Sequence, residues 1–230
     1  MPDAVSDAAR SARPPVFSAL VVDYGGVLTT SLGASFKVFS EAEDIDRDHI
    51  QQVVLSAYDD GRPSPLHLIE TGSVTLDEFE AALAARLRTR SGGAVEAQGL
   101  VSRMFAGAHP DRRMLDAVRR ARAAGLRTAL LSNSWGNREQ YGFAHFDTLF
   151  DAVVISGEVG LRKPDHGIYE LMCRELGVPA QECVFVDDIA ANIRAAAEVG
   201  MCGVHHTDTD ATLAELEALL ALPFTQPYGS

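Results

Sequence analysis

The sequence predicts an α/β protein with a Rossmann-like parallel sheet of five strands. Helices cover both faces, and a small all-helical cap is inserted after the first strand. Short apolar runs rich in β-branched residues recur along the chain, and the later runs alternate with stretches of helical periodicity. Strands that alternate with helices form parallel sheets with helices on both faces. The 230 residues, of which 47% are hydrophobic, suffice for one such core and an insertion.

The first predicted strand is the apolar run 17–22, which ends on Asp23 and is followed by Gly25 and Gly26. An acid at the end of a buried strand lies at the carboxyl edge of a sheet, where open α/β sheets bind their ligands. Taken alone, Asp23 is better explained as a strand-end or turn aspartate. The polar groups later in the chain reverse that interpretation.

Residues 33–108 are predicted to form the helical cap, because apolar positions recur there at helical spacing and no convincing strand is visible. Thr75 precedes the run LDEFEAALAARL, and Glu78 follows three residues later, which is the pattern of a capping box. A glycine and two prolines between 61 and 65 mark a break between helices. We therefore expect several short helices in this segment.

The α/β pattern resumes with a helix that Asp111 caps and Gly125 terminates. Four further strands are predicted at 126–131, 152–155, 183–186 and 203–206. Helices are predicted after the last three of these strands, at 167–176, 189–199 and 211–220. The predicted domains are a disordered tail at 1–15, a core at 16–32 and 109–222, the cap at 33–108, and a C-terminal tail at 223–230.

Polar groups stand at or just after four points where predicted strands end: Asp23, Ser132 and Asn133, Lys163, and Asp187 and Asp188. All strands of a parallel sheet point the same way, so these groups are expected to meet along one edge. Carboxylates that lie close together repel one another unless a cation binds them, and oxygen ligands suit Mg²⁺. A lysine and a hydroxyl opposite them suit an anion. Together they indicate phosphoryl transfer.

Four ordered segments carry a resemblance to a known family: DYGGVLT at 23–29, LLSNS at 130–134, GLRKPD at 160–165 and VFVDDIAANI at 184–193. With them, the chain resembles the haloacid dehalogenase superfamily over nearly all of residues 17–221. Among its branches, the chain looks most like the N-terminal phosphatase domain of soluble epoxide hydrolases and its bacterial relatives. The resemblance implies a Mg²⁺-dependent hydrolase, most simply a phosphatase that acts on a small phosphorylated metabolite.

The resemblance also implies a nucleophile and a metal site. Asp23 would attack phosphorus and form an aspartyl phosphate. The Asp23 carboxylate, the Gly25 carbonyl and Asp188 would hold Mg²⁺, and Asp187 would support the metal from beside it. Asn192 stands where many relatives have another acid, and it would orient the groups around the metal.

Phosphate binding is implied for three further residues. Ser132 and the backbone N–H of Asn133 would bind the phosphoryl oxygens, and Lys163 would neutralise the charge between nucleophile and phosphate. Without the resemblance, Ser132 would be interpreted as a helix cap and Lys163 as a solvated surface lysine. The neighbouring Arg162 suits the surface role equally, which would leave Lys163 for the site.

Gly25 departs from the family pattern. Phosphatases of the family carry a second aspartate at this position, which protonates the leaving group and then activates water. Such acid–base assistance is typically worth about 10²–10⁴ in rate, so its loss predicts a slow phosphatase. Asp59 or Asp60 in the cap could supply a substitute acid, although a solvated turn explains them more simply.

Two alternatives stay open at this point. A haloacid dehalogenase would use Asp23 to displace halide, but it needs no metal and leaves the pair Asp187 and Asp188 unexplained. A non-catalytic protein that binds a phosphorylated ligand would explain Gly25 directly. Turnover of an aryl phosphate separates these hypotheses.

Composition restricts the partners and the location. The net charge of −12 argues against nucleic acid, because phosphate backbones require a basic surface. No stretch approaches the roughly 20 apolar residues that span a bilayer, and the N-terminus lacks the apolar core of a secretory signal. The three cysteines have no metal-binding spacing and suit a reducing compartment, so we expect a cytoplasmic protein. The sequence does not decide between monomer and homodimer.

Overall fold

The computed structural model describes residues 17–59, 64–136, 141 and 146–224, with the backbone alone at 55–59 and 146–147. One sheet contains the strands β1 (Ala19–Val22), β2 (Arg127–Ser132), β3 (Ala152–Ile155), β4 (Cys183–Asp187) and β5 (Cys202–His205). Their order is β3-β2-β1-β4-β5, and every neighbouring pair is parallel. The predicted α/β fold with a five-stranded parallel sheet is therefore confirmed, and β1 is its central strand.

The helices in the described residues form two groups. One group lies between β1 and residue 106: α1 (Leu32–Ala42), α2 (Arg47–Asp59), α3 (Pro65–Glu70), α4 (Leu76–Ala84) and α5 (Leu100–Phe105). The other group belongs to the α/β part: α6 (Arg112–Ala123), α7 (Phe146–Leu149), α8 (Ser156–Val159), α9 (His166–Leu176), α10 (Ala190–Glu198) and α11 (Thr209–Leu220). None of these described helices has both the length and the apolar character needed to cross a bilayer.

The core lies on both faces of the sheet. Successive side chains of a strand point to opposite faces, so Leu20 and Val22 pack in the cluster that includes α6 and α11. Ala19 and Val21 pack in the opposite cluster, which includes α9 and α10. All four side chains are at most 1% exposed. Burial of a leucine-sized side chain stabilises the folded state by about 1.5–3 kcal/mol. The buried side chains therefore hold β1 in place and fix the position of Asp23, which follows it.

A third apolar cluster is built from α1–α5. Phe79, Leu83 and Leu87, which lie in or just after α4, are buried in this cluster. Thr75 and Glu78 make the predicted capping box, in which each side chain binds the other residue's backbone N–H. In the described part of this segment the structure has isolated β-bridges but no strand. The helical character that the sequence predicts is thus present.

Several predicted details differ from the structure. β3 has the predicted bounds, whereas β2 is shifted by one residue and β1 begins two residues later than predicted. The sequence did not predict α7 and α8, because a helix of four residues is too short to produce a periodic pattern. Phe224, assigned to the C-terminal tail, is 5% exposed and packs in the core because its ring is apolar. The remaining tail residues, 225–230, and the predicted tail at 1–15 lie outside the described residues.

Candidate active site

The carboxyl ends of three adjacent strands form the candidate site. Val22 of β1 lies opposite Leu130 of β2 and Val186 of β4. Asp23 follows β1, and its N–H donates to the Val186 carbonyl at 2.9 Å. Ser132 ends β2 and Asp187 ends β4, so these polar residues stand side by side at one edge of the sheet.

Lys163 lies in the loop before α9 and reaches into this edge. Its Nζ is 2.8 Å from Asp23 Oδ1, 2.6 Å from Asp187 Oδ2 and 3.0 Å from the Leu131 carbonyl oxygen. The side chain is 1% exposed. Burial alone would lower the pKa of Lys163, but the carboxylates of Asp187 and Asp23 reverse this effect and raise the pKa above its ordinary value. The ammonium group therefore stays charged beside Asp23.

The side chain of Asn133 fixes the loop that carries this lysine. Asn133 Oδ1 accepts a hydrogen bond from the Lys163 backbone N–H at 2.8 Å, and Asn133 Nδ2 donates to the Lys163 carbonyl at 3.0 Å. The strand end of β2 and the lysine loop are thereby joined as one unit. The resemblance implies a role only for the Asn133 backbone, so these two hydrogen bonds from its side chain are found only in the structure.

Asp23, Asp187 and Asp188 bring oxygen atoms within 4.8 Å of one another. Burial raises the pKa of Asp23 to about 7; Lys163 opposes this rise, and Asp187 and Asp188 reinforce it. Burial, followed by the charge of Asp187, raises the pKa of Asp188 to about 6. When all three carboxylates are ionised, they and the Lys163 ammonium carry two net negative charges, and a divalent cation with oxygen ligands would offset them. The residues present therefore fit Mg²⁺.

Asp187 differs from the other two carboxylates in its contacts. Its Oδ1 accepts from the Ile189 N–H at 2.8 Å and from Asn192 Nδ2 at 2.9 Å. Its Oδ2 accepts from Lys163 Nζ at 2.6 Å and from Asn192 Nδ2 at 3.1 Å. Both oxygens are thus engaged by protein donors, and this carboxylate holds Lys163 and the start of α10 in place.

The two glycines after Asp23 have different surroundings. Gly26 has φ +78°, and a Cβ there would lie 2.3 Å from Asp188 Oδ2. Only glycine leaves room for the Asp188 carboxylate at this point. Gly25 is not in the left-handed region, and among the described residues a Cβ there would meet only Leu32 Cδ2, at 3.7 Å. A Cβ at Gly25 therefore makes an ordinary van der Waals contact.

Ser132 is 3% exposed. It ends β2, on one side of the central strand β1, whereas Asp187 and Asp188 are at the end of β4 on the other side. Its Oγ accepts a hydrogen bond from the Tyr141 hydroxyl at 3.0 Å and donates weakly to the Asn133 carbonyl at 3.4 Å. The Tyr141 ring meets the Tyr24 ring edge to face, with centroids 4.6 Å apart. Burial raises the pKa of Tyr141 above its ordinary value, so its hydroxyl remains a donor.

Arg162 and Trp135 connect the site to the α1–α5 segment. Arg162, next to Lys163, forms an ion pair with Glu70 of α3 at 2.7 Å, and these side chains are 12% and 2% exposed. Trp135, which follows the Ser132 loop, packs in the third apolar cluster with ring centroids 5.4 Å from Phe105 and 5.8 Å from Phe79. Trp135 therefore takes part in the packing of this cluster.

Sequence reasoning missed Tyr141 and Glu70. Tyr141 lies nine residues after Ser132 in a stretch without a periodic pattern. Glu70 is 92 residues from Arg162, its partner. No local feature of the sequence points to either contact, because each depends on how separate segments pack.

Comparison with known proteins identifies relatives over most of the chain. The family model described as haloacid dehalogenase-like hydrolase matches residues 17–200. The phosphatase MT3486 of Mycobacterium tuberculosis is 31% identical over 194 residues, which cover 80% of this chain and 84% of that protein. The bifunctional epoxide hydrolase 2 of Mus musculus is 25% identical over 89% of this chain and 39% of its own length.

A fungal relative and a solved structure add to this comparison. The sesquiterpene phosphatase astK of Aspergillus oryzae is 36% identical over 48% of this chain, and the match spans 58% of that protein. A crystal structure of a HAD family enzyme from Bacteroides thetaiotaomicron, in complex with magnesium and inorganic phosphate, superposes with a TM-score of 0.62. Its sequence is 19% identical, and the match covers 82% of this chain and 93% of that chain. At this identity the likeness concerns the fold alone.

Proposed function

The chain belongs to the haloacid dehalogenase-like hydrolases, and on this premise we propose that it is a Mg²⁺-dependent phosphatase acting through an aspartyl phosphate. Its substrate is a small phosphorylated metabolite. The observation that carries the proposal is the buried Asp23 carboxylate, whose oxygen lies 2.8 Å from Lys163 Nζ at the carboxyl edge of the sheet. Phosphatase relatives in Mycobacterium and Aspergillus support the reaction class.

Asp23 is the nucleophile in this proposal. One carboxylate oxygen attacks phosphorus, the bond between phosphorus and the leaving-group oxygen breaks, and water later cleaves the aspartyl phosphate. The Lys163 ammonium is held beside Asp23 by Asp187 and by the Leu131 carbonyl, so it is positioned before substrate arrives. A fixed positive charge where negative charge accumulates is an effective form of catalysis.

The phosphoryl oxygens are bound by Ser132, by the backbone N–H of Asn133 and by Lys163. Among the described residues, the donor contact of Ser132 Oγ is a long one of 3.4 Å to the Asn133 carbonyl, so it can be exchanged for a phosphoryl oxygen. Asn133 joins the serine strand end to the lysine loop, which keeps these donors in one arrangement. Preorganised donors of this kind stabilise an anion without a rearrangement at the moment of reaction.

Asp23, Asp188 and the Gly25 carbonyl are the proposed Mg²⁺ ligands, with Asp187 behind them. When bound, Mg²⁺ would supply positive charge that offsets the acidic cluster and favours an approaching phosphoryl group. The magnesium and inorganic phosphate in the Bacteroides complex support this choice of cation. Asp187 supports the metal indirectly, because its oxygens already accept from Lys163, Asn192 and Ile189.

Asp188→Ala is expected to lower the affinity for Mg²⁺ at least about tenfold, the lower end of the loss caused by changes around metal sites. Calorimetric titration with Mg²⁺ measures the affinity, and circular dichroism checks the fold. Asp210→Ala is the matched control, since Asp210 is an exposed aspartate that pairs with Arg113 at the surface. An unchanged affinity in Asp188→Ala would place the metal site elsewhere.

Gly26→Ala is expected to weaken Mg²⁺ binding by about tenfold or more without removing any ligand atom. The added methyl group would lie 2.3 Å from Asp188 Oδ2, so the carboxylate must move, and the φ of +78° adds strain. Gly25→Ala adds the same methyl group one residue earlier at an acceptable 3.7 Å contact, and we expect a smaller effect. Equal affinities in both variants would show that Asp188 is not positioned by Gly26.

Residues 33–108 are proposed to act as a cap that closes over the site and selects the substrate. The Glu70–Arg162 ion pair and the packing of Trp135 support this assignment, because both connect the segment to loops that carry site residues. The three free thiols suit a reducing compartment, and a cytoplasmic location belongs to the proposal.

Hydrolysis of an aryl phosphate with and without Mg²⁺ tests the proposed function directly. Phosphatase activity predicts release of phenolate and inorganic phosphate that requires Mg²⁺. A protein that only binds phosphorylated ligands would release neither, and a dehalogenase would release halide from a haloacid instead. A screen of phosphorylated metabolites, with inorganic phosphate as the readout, then identifies the substrate.

A further inference from the structure

Tyr141 places a hydroxyl group against the proposed phosphate-binding serine. Its oxygen donates to Ser132 Oγ over 3.0 Å, and the two residues are 9% and 3% exposed. The Tyr141 ring is fixed by edge-to-face packing on Tyr24, the residue after Asp23. The hydroxyl is thus held within the site, and the geometry restricts how Ser132 can use its own proton.

A serine hydroxyl has one proton to donate and two lone pairs that accept. Tyr141 donates to one lone pair, so the Ser132 proton must point elsewhere. In the structure it points to the Asn133 carbonyl over 3.4 Å, a long and weak hydrogen bond. A phosphoryl oxygen, which accepts strongly because it is charged, would compete well for this proton. The contact from Tyr141 therefore leaves Ser132 oriented as a donor.

We propose that Tyr141 is a positioning residue for phosphate binding: by donating to Ser132 Oγ, it aims the Ser132 hydroxyl proton at a phosphoryl oxygen. This inference rests on the proposed function, because it requires Ser132 to bind phosphate. Tyr141 acts through Ser132 and need not touch the substrate. The hydrogen bond from Tyr141 orients the Ser132 hydroxyl, which would otherwise rotate freely, before the ligand binds. This preorganisation favours affinity.

A purely structural tyrosine would fill space between Tyr24 and the sheet and would use its hydroxyl only to avoid an unpaired polar group. Tyr141→Phe separates the two roles, because it removes one oxygen atom and keeps the ring. A structural role predicts lower stability with unchanged phosphate affinity. A positioning role predicts lower phosphate affinity, and only while Ser132 retains its hydroxyl.

The experiment compares wild type, Tyr141→Phe, Ser132→Ala and the double variant. Calorimetry with inorganic phosphate in saturating Mg²⁺ gives the affinity, and thermal unfolding verifies that each variant is folded at the titration temperature. We expect Tyr141→Phe to weaken phosphate binding by about 3- to 10-fold, the range of one net hydrogen bond. The double variant should bind phosphate as Ser132→Ala does, because without the Ser132 hydroxyl there is no proton for Tyr141 to orient.

Thr128→Val is the matched control. Thr128 is a fully buried residue of β2 whose hydroxyl donates to the Leu149 carbonyl at 2.6 Å, at the strand end away from the site. The Thr128→Val variant loses a buried hydroxyl as Tyr141→Phe does, and we expect unchanged phosphate affinity.

With an aryl phosphate, Tyr141→Phe should raise KM and change kcat little, since the Ser132 hydroxyl contacts the phosphoryl group in bound substrate and transition state alike.

Phosphate affinity in Tyr141→Phe equal to wild type would overturn the inference. A further loss of affinity when Tyr141→Phe is added to Ser132→Ala would do the same, because it would place the effect outside Ser132. Failure of the proposed function has a different signature: wild type itself would neither bind inorganic phosphate nor turn over an aryl phosphate.

Discussion

Asp23→Asn should reduce the turnover of an aryl phosphate by about 10⁴-fold or more while the protein remains folded. An amide cannot attack phosphorus effectively, and loss of a covalent nucleophile typically removes most of an enzyme's rate enhancement. Asp23 is 7% exposed and neighbours Asp187 and Asp188, so replacing its charge also relieves repulsion within the cluster. The variant should therefore bind a phosphate anion at least as well as wild type.

Lys163 should keep its place in this variant. Asp187 Oδ2 at 2.6 Å and the Leu131 carbonyl oxygen at 3.0 Å hold its ammonium group independently of Asp23. Steady-state assays give the loss of turnover, and calorimetry with inorganic phosphate gives the retained affinity. Asp116→Asn is the control, because this aspartate makes a surface ion pair with Arg119 on α6. Activity of Asp23→Asn near that of wild type would mean that another residue or a water molecule attacks phosphorus.

The sequence predicted the sheet well because the information for it is local. β3 has an apolar run closed by Ser156 and Gly157, and its bounds are those predicted. The capping box at Thr75 is equally local, since both partners lie within one helical turn. Prediction was poorest where no local signal exists. α8 is a single turn, and Phe224 looks like part of a tail until its packing partners are known.

The same distinction holds for the candidate site. Parallel strands bring their carboxyl ends to one edge, so Asp23 and Asp187 could be placed together from the sequence. The family resemblance assigns Lys163 to the site and leaves Arg162 for the surface, but the local sequence without it does not distinguish the two side chains. In the structure Lys163 is buried among carboxylates, and Arg162 pairs with Glu70, 92 residues away. That choice depends on a contact between separate segments, which no local pattern encodes.

Gly25→Asp should raise the activity on alkyl phosphates by about 10² or more, the scale of a well-positioned general acid. Wild type has no side chain at this position, so leaving groups must depart without a proton from it. Aryl phosphates leave as stable phenolates and need little assistance, whereas alkyl phosphates need it strongly. We therefore expect wild type to turn over p-nitrophenyl phosphate measurably and glycerol 3-phosphate far more slowly.

The structure leaves room for the Cβ that this substitution adds. Gly25 is not in the left-handed region, and a Cβ built there lies 3.7 Å from Leu32 Cδ2, an ordinary van der Waals contact. The added carboxyl group would follow Asp23 by two residues, the spacing at which phosphatases of the family carry their acid. The strain that a positive φ would impose is therefore absent at Gly25, in contrast to Gly26 with its φ of +78°.

The measurement is the rate constant of the chemical step for aryl and alkyl phosphates in wild type and three variants. Gly25→Asn is the matched control, since it has the shape of aspartate without an ionisable proton, and Gly25→Ala reports the effect of the added Cβ alone. Only Gly25→Asp should gain activity on alkyl phosphates. Wild type should also show a burst of phenolate followed by slow turnover, because in the proposed mechanism no side chain at Gly25 supplies a base for hydrolysis of the aspartyl phosphate. Similar rate constants for alkyl and aryl phosphates in wild type would contradict this account. They would indicate a relocated acid, for which Asp59 and Asp60, whose side chains lie outside the described residues, are the first candidates.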